Sequence, residues 1–108
     1  MPFALDAKIP LGNPPQGLVR LETVRFRLDR SKTEVQAEVA GRCSEGKDQA
    51  VEVQIELLDA GGQTIASLRG KGGIEENESG TIKAKQRLAP DQVARLSQFR
   101  LTFQTRPD

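Results

Sequence analysis

The sequence predicts an all-β domain, an antiparallel sandwich of six or seven strands with one short helical crossover near residues 90–96. Three observations carry this. Apolar and polar residues alternate along several short runs, which turns one face of each run to a core and the other to water. Turn residues separate the runs at roughly the eight-to-twelve-residue intervals of such folds. The chain has 108 residues, the usual size of one domain built on a single core.

In chain order, residues 1–17 are expected to be an N-terminal arm, extended or loosely ordered, and residues 18–108 the sandwich. Leu5, Ile9 and Leu11 could form an extra strand, but Pro10, Pro14 and Pro15 interrupt any ladder. The first clear strand is Thr23-Val24-Arg25-Phe26-Arg27-Leu28-Asp29, followed by Glu34-Val35-Gln36-Ala37-Glu38-Val39. Val51-Glu52-Val53-Gln54-Ile55-Glu56-Leu57 alternates most regularly. Asp59-Ala60-Gly61-Gly62-Gln63 reads as a hairpin turn, because glycine adopts positive φ freely. A shorter, weaker strand follows over residues 64–69. Gly70-Lys71-Gly72-Gly73 and Glu75-Glu76-Asn77-Glu78-Ser79-Gly80 read as polar connections. Thr81-Ile82-Lys83-Ala84-Lys85 and Phe99-Arg100-Leu101-Thr102-Phe103 complete the strands. Between them, Pro90 near the start of Ala89–Leu96, with Val93 and Leu96 on one face, marks the helical piece. The alternation assigns Val24, Phe26, Val35, Val39, Val53, Ile55, Leu57, Ile82, Phe99, Leu101 and Phe103 to the core.

At Ile55-Glu56-Leu57-Leu58-Asp59, followed by Ala60-Gly61-Gly62-Gln63-Thr64-Ile65, the chain resembles the bacterial FxLYD family of immunoglobulin-like domains. That family carries Phe-x-Leu-Tyr-Asp at a strand end just before a glycine-containing turn. Ile55 takes the Phe position, Leu57 and Asp59 match, and Leu58 stands in place of Tyr, so both aromatic rings are lost. A strand ending Val39-Ala40-Gly41 and an acidic turn closing on Gly80 are similar as well. The resemblance spans about residues 20–105. It implies an immunoglobulin-like sandwich and a non-enzymatic accessory role, and it transfers no site residue. The Trp, the corner Tyr and the Cys pair of antibody-type domains are absent.

The chain offers little chemistry. It has no His, which removes the commonest general base and metal ligand. No catalytic residue, cofactor or metal site is therefore expected. Cys43 is the single cysteine and is read as an inert, partly buried thiol. Gly70-Lys71-Gly72-Gly73 fails the phosphate-loop pattern, since Ile65 and Gly72 stand where that pattern needs Gly and Ser or Thr; it reads as a flexible turn. Glu75, Glu76 and Glu78 read as a solvated turn without a cation-loop spacing.

Net charge is +1, too small to steer the chain toward nucleic acid or an anionic membrane. No apolar stretch approaches the roughly 18 residues of a membrane span, so membrane insertion is not expected. Arg25 and Arg27 on one strand and Lys83, Lys85 and Arg87 on another flank the acidic row Glu34, Gln36 and Glu38 in the anticipated topology. Cross-strand pairing should neutralise this surface, and with no Tyr or Trp to stack on bases, nucleic-acid binding is not expected. A complete chain of this sequence would belong in the cytoplasm, and a domain excised from a longer protein outside it.

The function expected is a non-catalytic binding or spacer module that presents loops or an edge strand to a protein. The alternative is a carrier or sensor of a small apolar ligand held between the sheets. A seven-stranded sandwich needs one more strand after residues 99–104, which leaves Leu101, Thr102, Phe103 and Gln104 as an exposed edge. The arm, a second copy or a partner could cover it. Pro10 weakens the arm as a cover, which favours a protein partner or self-association.

Overall fold

Each alternating run becomes a strand with one buried and one wet face. The computed structural model describes residues 1–108: β1 (Ile9–Pro10), β2 (Val19–Leu28), β3 (Glu34–Cys43), β4 (Gln49–Leu58), β5 (Thr64–Ile74), β6 (Ser79–Arg87), α1 (Pro90–Ala94) and β7 (Gln98–Pro107). The strands form two antiparallel sheets, ordered β1-β2-β3-β6 and β5-β4-β7. The fold is an all-β two-sheet sandwich with one short helix, as the alternation requires.

All eleven residues assigned to the core are buried, with Leu101 the most exposed at 8%. Fully burying one such aliphatic or aromatic side chain contributes about 1.5–3 kcal/mol. Phe26 on β2 ties three parts together. Its ring lies 5.0 Å from Phe99 on β7, edge to face, and 4.7 Å from Phe3 in the arm. Such aromatic pairs add about 0.5–1.5 kcal/mol beyond area burial. Two hairpins are closed by aspartates: Asp29 Oδ1 accepts the N–H groups of Thr33 and Glu34, and Asp59 Oδ1 those of Gly61 and Gln63.

The two sheets align so that β7 lies over β2, through Phe99 and Phe26, while β5 runs beside β6 on the opposite flank. Gly70-Lys71-Gly72-Gly73 is not a turn; it continues β5, which is the longest strand. The reason is spatial. A Cβ at Gly70 would clash with the Lys83 carbonyl oxygen, and one at Gly72 would come within 2.6 Å of Ile82 Cδ1. The glycines allow β5 and β6 to close this flank without a hydrogen-bonded ladder.

The arm is built into the structure. Ile9 and Pro10 pair with Val24 and Thr23, Leu5 bridges to Phe26, and Leu11 donates its N–H to the Glu22 carbonyl. Leu11 is buried, and Phe3 and Ile9 pack against the core. The short helix takes its place in the crossover before β7, with Val93 and Leu96 half-buried against the core.

Candidate functional site

β7 is a sheet edge. It pairs with β4 on one side, from Gln98↔Leu58 to Pro107↔Gln49, and has no neighbouring strand on the other. Backbone groups point alternately to the two sides of a strand. Phe99 faces away from β4, since it donates its N–H to the Met1 carbonyl at 2.8 Å and accepts from the Met1 amino group at 3.1 Å. The same parity directs the N–H and C=O of Leu101, Phe103 and Thr105 outward, and none of these groups has an acceptor or donor there.

Both ends of this edge are guarded. At the start, Met1 pairs with Phe99 and Phe3 donates to the Ser97 carbonyl. At the far end, Thr105 Oγ1 donates to the Gln16 carbonyl at 3.4 Å, and Pro107 carries no N–H. Between them the backbone from Leu101 to Gln104 is open along its outer side. Among the four residues singled out in the sequence, Leu101 and Phe103 send their side chains into the core, while Thr102 and Gln104 lie on the wet face. The arm covers only the start of β7, then crosses to β2. Phe3 is held there by Phe26, and the Ile9–Leu11 backbone finds its partners on the β2 edge. The guard at Met1 had no signal in the sequence, because a terminal residue carries no periodicity.

The wet face of β7 also carries Arg100, which the alternation of residues 99–103 places there, and Arg106, which lies beyond the strand expected from the sequence. Arg100 makes the sole ion pair, 3.5 Å to Glu56 on β4, with its side chain 62% exposed. Exposed pairs of this kind contribute about 0–1 kcal/mol. The other sheet behaves differently from expectation. The register sets Glu38 between Arg25 and Lys83, and Glu34 opposite Arg87, but no ion pair closes within 4.0 Å. Glu34 accepts instead from Gln36 Nε2, and the buried Arg25 Nε has no partner. The unlike charges on that face are neighbours in register without forming the paired contacts expected of them.

Cys43 is fully buried at the end of β3, its thiol directed to the Ser44 and Lys47 carbonyl oxygens at 3.4 Å. Burial pushes its pKa up, with the carboxylates of Asp48 and Glu76 adding to the shift. A buried, protonated thiol is a poor nucleophile. In the β5–β6 turn, the hydrogen-bonded Glu78 carboxyl, then its charge and that of Asp48, hold the Glu75 pKa above its ordinary value. Surface concavities are lined chiefly by polar residues, one across Ala50, Glu52, Lys71, Gln104 and Arg106 on the outer face of the three-stranded sheet. No family model, no curated protein and no solved structure matches the chain.

Proposed function

We propose that this is a non-catalytic, immunoglobulin-like binding module that presents the β7 edge to a protein partner. The observation that carries the reading is the run of outward N–H and C=O groups at Leu101 and Phe103, unpaired between the guards at Met1 and Gln16. A sheet edge in this condition is a template for strand addition, where main-chain hydrogen bonds supply affinity and alternate side chains supply selectivity. The other edges are less inviting. β1 is two residues long and contains Pro10, and β5 is shielded by β6. The strand order β5-β4-β7, with a crossover before β7, also supports an immunoglobulin-like arrangement.

Peptides selected for binding from a random displayed library test this. The reading expects selected peptides to slow amide exchange at Leu101 and Phe103. It also expects Thr105→Pro, which removes an outward N–H and the Oγ1 contact to Gln16 without breaking the β4 ladder, to weaken them. Ligands that bind between the sheets or at the hairpin tips, leaving β7 exchange unchanged, would contradict it.

A further inference from the structure

We infer that the strand received by β7 is a short acidic one, carboxylates alternating with apolar residues, supplied by a partner rather than by a second copy of this chain. The inference rests on the edge-binding reading above. Its first support is the unequal strand count. One sheet has four strands and the other three, with β7 over β2 and β5 beside β6, so β1 projects with no strand facing it. A strand added to β7 would fill that place. Its inward side chains would meet the arm, where Ile9 remains half-exposed, so alternate apolar residues are required.

The second support is charge. On its wet face β7 carries Arg100, Thr102, Gln104 and Arg106, with no acidic residue. Arg100 is already shared with Glu56 on β4, whereas Arg106 lies opposite Ala50 and closes no ion pair, although Glu52 and Asp108 line the same concavity. Directly opposed unlike charges stabilise neighbouring strands, and like charges destabilise them. A second β7 offers only arginines and neutral residues, and antiparallel pairing centred on Phe103 would set Arg100 against Arg106 of the other copy. A carboxylate opposite each arginine satisfies both ends. The guards at Met1 and Gln16 limit the ladder, which fits a short segment.

The probe is the blocked heptapeptide Glu-Val-Thr-Val-Thr-Val-Glu, compared with its Lys-Val-Thr-Val-Thr-Val-Lys counterpart, titrated into the full chain and followed by amide shifts. The acidic peptide should saturate with shifts centred on Leu101–Gln104, and the basic one should bind about tenfold more weakly. The Arg100→Glu, Arg106→Glu double variant should reverse that order. Equal binding of both peptides at β7 would overturn the acidic preference and leave the edge reading standing. No saturable binding of either would overturn both. Shifts of the acidic peptide confined to Lys83 and Lys85 would show attraction to the other sheet's cations and overturn the inference, as would mass measurements showing that the free chain already pairs β7 with β7.

Discussion

Glu75 and Glu78 share a tight turn in which the Glu78 carboxyl, as a hydrogen-bond partner and then as a like charge, raises the cost of ionising Glu75. The folded chain therefore holds the Glu75 proton more strongly than the unfolded chain does. The associated stability is fully present below the ordinary carboxylate value of 4.5 and is lost as pH rises through the raised value in the fold. Glu78→Gln removes the nearest like charge and leaves only an amide oxygen to accept from Glu75. The variant should be more stable than the parent at neutral pH and should lose that advantage in acid. Urea midpoints measured across this range check it, and an advantage that persists unchanged below the carboxylate range would count against Glu78 as the source of the Glu75 shift. Asp29 shifts in the opposite direction. The Ser31 hydroxyl and then the Glu34 N–H hold its carboxylate in the charged form, so the turn it closes weakens only as pH falls through a lowered value.

At the scale of an element, β5 is the most informative strand. Gly70→Ala places a methyl group against the Lys83 carbonyl. Stiffening the unfolded chain would stabilise by about 0.4–1 kcal/mol, whereas overpacking costs about 1–3 kcal/mol. The clash should win, and the variant should be destabilised. Gly73→Ala is the control: its nearest neighbours would lie at 3.8 Å, so the substitution should be neutral or mildly stabilising. The denaturant midpoint should therefore fall for Gly70→Ala and hold or rise for Gly73→Ala, and equal losses would remove the close approach as the cause. These glycines also show where the sequence is legible and where it is not. Alternation at Val51–Leu57 or Val24–Leu28 records which face each residue takes, because burial acts on every second side chain. Gly70-Lys71-Gly72-Gly73 records the approach of another strand's backbone, and the same letters serve a turn equally well. Likewise Arg100 falls on the wet face of β7 by alternation, whereas Arg106 lies beyond the alternating run, and the importance of both depends on β4 lying on one side and nothing on the other.

The whole molecule is a four-over-three sandwich, closed on the β5–β6 flank and open along β7. The open flank is held in form by the arm, which reaches Phe99 through Met1 and Phe26 through Phe3 before joining the β2 edge. The most direct test is residue-resolved amide hydrogen exchange along β7 in the monomeric protein. Arg100, Thr102 and Gln104 direct their N–H groups to β4 and should be protected on the order of a hundredfold or more, while Leu101 and Phe103 should exchange almost as fast as unpaired amides. Equal protection of all five amides would mean that the outer side of β7 is already covered, which would contradict the free edge.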